Sequence, residues 1–326
     1  MKRAVKKKRK KSFTLLQKLS HQLIWGSVRL LWTLTRFFPW PLFQGVAKII
    51  AALASFAMRE RREIALNNMA LAFGSGLDSA ERERLFRQSI QNFCVGAFEV
   101  LHFARFPEKL NETRIVLEGA EHLEEALSLG RGVLALSGHL GNFVAGLIKL
   151  AQDGYPINAV VRQPRIEPLA RFVSELRHRV GVGEVADQPP EECVRRCLEL
   201  LRRKEILFLQ IDLNVSGGGA YVDFFGQLVP TFKGPAVLAL RTGAPIVPVF
   251  VVRGPDGRHR VIIEPAVEYE TSEDSNQDVL MLTAKLSKIV EKYVRAYPEE
   301  WLWIHRRFRH ARPIPSHVSG HLKERA

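Results

Sequence analysis

Ser137-Gly138-His139-Leu140-Gly141-Asn142-Phe143 carries the plainest chemical potential in this 326-residue chain. It follows a short apolar run at 133–136 and opens a helical pattern over about 142–150. A histidine at a strand-to-helix turn, between glycines that leave room for close backbone approach, suits a general base. In an open α/β sheet such turns lie at the carboxyl ends of strands, where ligands bind. A histidine that only caps a helix, beside tight-turn glycines, fits the same pattern. A second segment, Tyr221-Val222-Asp223-Phe224-Phe225-Gly226 followed by Pro230-Thr231-Phe232-Lys233-Gly234-Pro235, reads as strand, turn and loop ending at a helix start. Helix N-termini favour anions through their free amides, whereas Phe224 and Phe225 fit a core equally well. Arg162, at the end of the strand-like 157–161, could hold an anion or face solvent. Trp301-Leu302-Trp303-Ile304-His305-Arg306-Arg307 sets aromatics beside bases, as a lipid-interface or anion site would, or a helix end packed on a sheet. Cys193 and Cys197 share one helix face and read as packing.

These segments need a scaffold. Residues 60–110 read as helical, with Asp78 and Glu81 in a capping-box arrangement and apolar residues at helical spacing from Leu85 to Leu101. Beyond them the period changes. Strand-like runs at 133–136, 157–161, 206–211, 220–225, 246–252 and 261–263 alternate with helical ones at about 142–150, 168–179, 191–203, 236–241 and 279–297. That alternation predicts an α/β fold: a mixed, largely parallel sheet flanked by helices. Three cysteines without CxxC spacing argue against a disulfide framework or a structural zinc site.

The charge is concentrated at one end. Residues 1–59 hold 13 Lys+Arg and no acid, and the other 267 residues hold 35 bases and 34 acids. The formal charge of +14 therefore belongs to the N-terminal segment, which argues against a nucleic-acid partner. Eight bases between Lys2 and Lys11 precede an apolar stretch with basic flanks on both sides, which favours a segment that enters a membrane and returns, or lies in its interface. A buried core hairpin is the alternative. The expected organisation is a basic tail at 1–19, an apolar membrane-associated, helical anchor at 20–58, a catalytic domain at 59–312 and a loose tail at 313–326.

In this order and spacing the chain resembles the lipid A biosynthesis acyltransferase family, within the wider glycerolipid acyltransferase superfamily. The resemblance runs from about residue 20 to 312. It rests on the apolar N-terminal segment, Ala65-Leu66-Asn67-Asn68-Met69, Gly138-His139-Leu140-Gly141-Asn142-Phe143, Arg162, and Asp212 after an apolar strand. It continues through Phe224-Phe225-Gly226, Thr231 with Gly234-Pro235-Ala236, and Tyr297-Pro298-Glu299 before the Trp301–Arg307 segment. It implies an enzyme on the cytoplasmic face of the inner membrane, moving a fatty acyl chain from acyl carrier protein to a hydroxyl of a phosphorylated saccharolipid such as a lipid A precursor. His139 would be the base. Arg162 would hold an anionic acceptor group, Asp212 would be an acid near the site, and Asn142, Phe224, Phe225, Gly226 and Thr231 would bind or shape around substrate. No metal or organic cofactor is implied, because the thioester brings its own leaving group.

One departure bears on activity. The family pattern places Glu or Asp five residues after the histidine, where this chain has Val144. That carboxylate orients the imidazole and stabilises its charged form, and valine does neither. Either another acid substitutes, with Asp212, Asp223 and Glu167 available, or the protein is slow, or it is a silent relative that binds acyl lipid or acyl carrier protein. A further alternative is transfer to a different lipid acceptor.

Overall fold

The computed structural model describes residues 15–37, 40–107, 115–215, 217–254 and 256–314; the side chains of 15–18 are not described. Most of the basic tail, and the C-terminal tail from 315 on, lie outside the described residues. The N-terminal part is helical: α1 (Leu15–Leu34), α2 (Trp40–Ala57), α3 (Arg59–Phe73) and α4 (Ser79–Arg105). In α2 one stripe, Phe43, Ala47 and Ala51, is buried at four-residue spacing, and its first two members pack with Val95 and Phe98 of α4. Ile49, Leu53 and Phe56 remain exposed. Among the described residues α2 is the one helix long and apolar enough to cross a membrane. α4 starts where the capping box predicts, with Asp78 Oδ1 accepting the Glu81 N–H at 2.8 Å.

The rest alternates: β1 (Ile115–Glu118), α5 (Ala120–Ser128), β2 (Val133–Ser137), α6 (Phe143–Gln152), β3 (Ile157–Val161), α7 (Glu167–Arg179), β4 (Gly183–Ala186), α8 (Pro190–Arg202) and β5 (Ile206–Gln210). A hairpin follows, β6 (Ala220–Phe224) and β7 (Gln227–Thr231), then α9 (Gly234–Thr242), β8 (Ile246–Arg253), β9 (His259–Ile263), α10 (Ser275–Ala296) and β10 (Arg312–Pro313). Seven strands form the main sheet in the order β1-β9-β8-β2-β5-β3-β4. Every pairing in it is parallel except β8 with β9. The fold is the expected α/β class with a mixed, mostly parallel sheet. β2 and β8 are buried along nearly their whole length, as strands covered on both faces must be. β6 and β7 pair antiparallel in a second, three-stranded sheet with β10.

Two features place the site. β2 and β5 are parallel neighbours with Ser137 opposite Gln210, so the chain leaves both strands at the same edge. The Trp301 segment, after α10, then crosses that edge rather than ending a helix: Leu140 forms an antiparallel bridge with Trp301.

Candidate active site

His139 and Asp212 each lie two residues past the end of their strand, β2 and β5, and the in-register pairing of those strands makes them neighbours. Asp212 Oδ1 is 2.9 Å from His139 Nδ1, and Asp212 Oδ2 accepts the backbone N–H of His139 at 2.7 Å. The Trp301 indole N–H donates to the same Oδ2 at 2.7 Å. Asp212 is fully buried, whereas the His139 side chain is partly open. Burial pushes the Asp212 carboxyl up, but the charge of His139 and the hydrogen bonds from its ring, from Trp301 and from the His139 amide outweigh it and hold the group at about 2. An ionised Asp212 accepts only, so whenever the ring is neutral Nδ1 carries the proton and Nε2 keeps its lone pair. That is the arrangement of a general base whose imidazolium form is stabilised by a buried acid.

The turn that presents His139 is fixed from three sides. Gly141 has φ +60, and a Cβ there would sit 1.8 Å from the Val251 carbonyl, so no side chain fits. A Cβ at Gly138 would approach Asp212 Oδ2 to 3.2 Å. Gln210 Nε2 donates to the Gly138 carbonyl at 2.9 Å, the Gly141 N–H to the Glu300 carbonyl at 2.9 Å, and the Leu302 N–H to the His139 carbonyl at 3.1 Å. Asn142 caps α6 through Oδ1 onto the Ala145 N–H at 3.2 Å, while its Nδ2 donates to Glu99 Oε2 at 2.9 Å. Glu99, on α4, is buried and binds Arg253 bidentately at 2.7 and 2.8 Å and His259 Nε2 at 2.8 Å. Burial raises this carboxyl, but His259 and Arg253 hold it at about 2.

A cavity of about 90 Å³ opens beside His139. Its walls are mainly apolar: Ile90 and Phe93 of α4, Phe143, Trp301, Leu302 and Ile304. His305 turns away from the cavity: its Nε2 accepts the Asn214 N–H at 2.8 Å, and burial lowers its pKa, so it is neutral.

The other residues singled out in the sequence lie at various distances from this centre. Arg162 is at the carboxyl end of β3, its side chain 83% exposed and paired with Asp187 at 2.7 Å. Phe224 and Phe225 are buried in the core beside Phe73, Trp301 and Phe308, and neither lines the cavity. Phe225 and Gly226 have φ +55 and +74, the pattern of a two-residue hairpin turn between β6 and β7. A phenylalanine is strained there; its N–H donates to Glu291 Oε2 at 2.8 Å and its ring carries the Arg295 guanidinium at 4.2 Å. Thr231 is buried and accepts from the Arg307 guanidinium at 2.6 Å. Arg307, itself 1% exposed, also donates to the Pro230 and Leu213 carbonyls. Of the three acids that could replace one at position 144, Asp223 pairs with Lys288 and Glu167 with Arg171, and only Asp212 meets His139. Val144, in the first turn of α6, packs against the apolar cluster under the sheet. Asn92, Glu99 and Glu300 lie at the site without having been singled out in the sequence, whereas Trp301 belongs to the aromatic and basic run that was.

The mixed, mostly parallel sheet carries a histidine–carboxylate pair at the carboxyl ends of two neighbouring parallel strands, an arrangement that can serve base-assisted group transfer. The family model for bacterial lipid A biosynthesis acyltransferases matches residues 7–310, and the chain belongs to that family. It is 28% identical over 301 residues to a lipid A biosynthesis palmitoleoyltransferase of Escherichia coli (strain K12), covering 90% of this chain and 92% of that protein. It is 24% identical over 298 residues to a lipid A biosynthesis lauroyltransferase of the same strain, covering 90% and 94%. A phosphatidylinositol mannoside acyltransferase of Mycolicibacterium smegmatis is 27% identical over 276 residues, covering 83% and 86%. The chain is accordingly an acyltransferase.

Proposed function

We propose that this enzyme moves a fatty acyl chain from acyl carrier protein to a hydroxyl of a lipid A precursor or a related phosphorylated glycolipid. The observation that carries the reading is the Asp212–His139 pair. His139 Nε2 takes the proton of the acceptor hydroxyl, and the oxygen attacks the thioester carbonyl. Asp212 stabilises the imidazolium that results. When the tetrahedral intermediate collapses, the C–S bond breaks and His139 returns the proton to the leaving thiolate. The apolar cavity beside His139 suits the carbonyl end of an acyl chain. A carboxylate at His139 Nδ1 favours an active enzyme over a silent lipid-binding relative.

Residues 59–312 carry the transfer in this reading, and 20–58 associate with the membrane through the exposed apolar side of α2, on the cytoplasmic face. Both flanks of that stretch are basic, which supports the assignment. A reporter fused after residue 326 is expected to be active in the cytoplasm; activity only in the periplasm would contradict it.

Arg162 is proposed to meet an anionic group of the acceptor, since it projects from the sheet edge that bears His139. Charge-assisted hydrogen bonds contribute about 1.5–3 kcal/mol. Arg162→Ala is therefore expected to raise the acceptor KM by about tenfold or more, with the donor KM little changed. An unchanged acceptor KM in folded protein would remove the role.

A second acceptor reading is favoured by the phosphatidylinositol mannoside acyltransferase among the relatives. The test is a panel of acceptors offered to the purified enzyme with acyl carrier protein thioesters: a lipid A precursor, a phosphatidylinositol mannoside and a lysophospholipid. Preference for the first is expected, and transfer to the lysophospholipid alone would overturn the glycolipid assignment.

A further inference from the structure

The cavity beside His139 has a polar corner formed by Asn92 and Glu300. Glu300 ends the short turn Pro298–Glu300, and its carbonyl accepts the Gly141 N–H at 2.9 Å, so its backbone is locked to the turn that carries the base. Asn92 Nδ2 donates to Glu300 Oε1 at 3.0 Å and to the Glu299 carbonyl at 3.1 Å. Glu300 Oε2 has no hydrogen-bond partner, and the carboxyl no ion pair, among the described residues. A carboxylate in that position would repel the charge that develops on a carbonyl oxygen during acyl transfer. A neutral carboxyl would stabilise it.

We propose that Glu300 is a catalytic residue: as a neutral carboxyl it donates a hydrogen bond from Oε2 to the thioester carbonyl oxygen while that oxygen becomes an oxyanion. The proposal rests on the acyl-transfer reading. In the step the acceptor O–H gives its proton to His139 Nε2, the new C–O bond forms, and the carbonyl π pair moves to the oxygen facing Glu300. On collapse the C=O bond re-forms, the C–S bond breaks, and the thiolate takes the proton from His139. Glu300 keeps its own proton throughout and contributes a hydrogen bond only.

The charges around it agree. Burial raises the Glu300 carboxyl to about 7; Arg253 of β8 pulls it down, and Glu299 of its own turn and Glu99 of α4 push it up. Arg253 is already committed to Glu99. From α10, Lys292 is paired with Glu264 and Arg295 with Glu291, and the Tyr293 hydroxyl donates to Glu264. His139, across the cavity, is held by Asp212.

The experiment is the pH dependence of acyl-transfer kcat between pH 6 and 9 for wild type, Glu300→Gln and Glu300→Ala, with His139→Ala as blank. The wild-type rate is expected to fall above pH about 7.5 as Glu300 ionises. Glu300→Gln has a donor at every pH, so its alkaline fall should vanish, and at pH 9 it should exceed wild type by about tenfold or more. Glu300→Ala should lower kcat at pH 6.5 by about 10²-fold, the size of a lost oxyanion donor, with the donor KM within about twofold. Superimposable profiles for wild type and Glu300→Gln would overturn the proposal, even if Glu300→Ala fails to fold. Infrared difference spectra isolate the protonation itself: a neutral-carboxyl band at pH 6 that is lost at pH 9 and missing in Glu300→Gln is expected. Its absence from an enzyme that transfers acyl chains would sink the role of Glu300 alone. A wild type with no transfer to any acceptor would sink the acyl-transfer reading and this role with it.

Discussion

Asp212→Asn is expected to lower the kcat of acyl transfer by about 10³–10⁴-fold in a protein that still folds. The amide is nearly the same size, but it brings an N–H₂ where a carboxylate oxygen now accepts. Asp212 accepts three hydrogen bonds, from the His139 ring, the His139 amide and the Trp301 indole. An amide oxygen can satisfy the amide and indole donors at its single acceptor atom, leaving its NH₂ toward Nδ1. His139 then carries its proton on Nε2 and cannot act as base. Neutralising the acid of a Ser–His–Asp triad costs about 10⁴ for the same reason. Val144→Glu should do little by comparison. The imidazole already has its acid in Asp212, and position 144 packs on an apolar cluster. Steady-state kinetics of both variants beside His139→Ala check this. A gain of about 10² from Val144→Glu, or a near-normal Asp212→Asn, would show that Asp212 is not the partner. A double mutant of His139 and Asp212 should be no slower than His139→Ala, since residues that act as a unit are not additive.

The largest expected effect on stability is at Glu99. Glu99→Ala removes the acid on which Arg253 and His259 converge, with side-chain exposures of 16% and 1%. Taking away one member of a buried charge cluster leaves the others unpaired and costs about 3–5 kcal/mol. Asn142 also loses the shorter of the two hydrogen bonds its Nδ2 donates, keeping the one to the Gly96 carbonyl, so the turn behind His139 loosens. Chemical denaturation should give that loss, and transfer should fall even at temperatures where the variant is folded. A loss below about 1 kcal/mol would mean that the cluster does not hold the turn.

Much of the scaffold is legible because its signals are local. Asp78 and Glu81 mark the start of α4, Gly234-Pro235 that of α9, and buried parallel strands such as β2 read as short unbroken apolar runs, here 133–136. The elements that escape have weak local signals. β4, Gly183–Ala186, is four residues long and half-buried, and β7 contains Pro230, which argues against a strand; Pro230 is tolerated because it pairs with β6 alone, beyond the Gln227 and Leu228 positions that pair with β10. His139 is legible from its glycines. Its acid is harder to identify because the pairing joins residues 73 positions apart. Choosing Asp212 over Asp223 and Glu167 requires knowing that β2 and β5 are neighbours in register. Glu99 and Glu300 had no local mark at all, since an acid in a helix or a turn reads as a solvated face until its burial is known.

The most direct test of the account is mass spectrometry of a glycolipid acceptor after incubation of purified enzyme with acyl carrier protein loaded with a labelled acyl chain. The acceptor is expected to gain the mass of one labelled acyl group with wild type and none with His139→Ala, while both proteins unfold at the same temperature. An equal gain with His139→Ala, or no gain on any hydroxyl-bearing phosphorylated glycolipid with wild type, would contradict it.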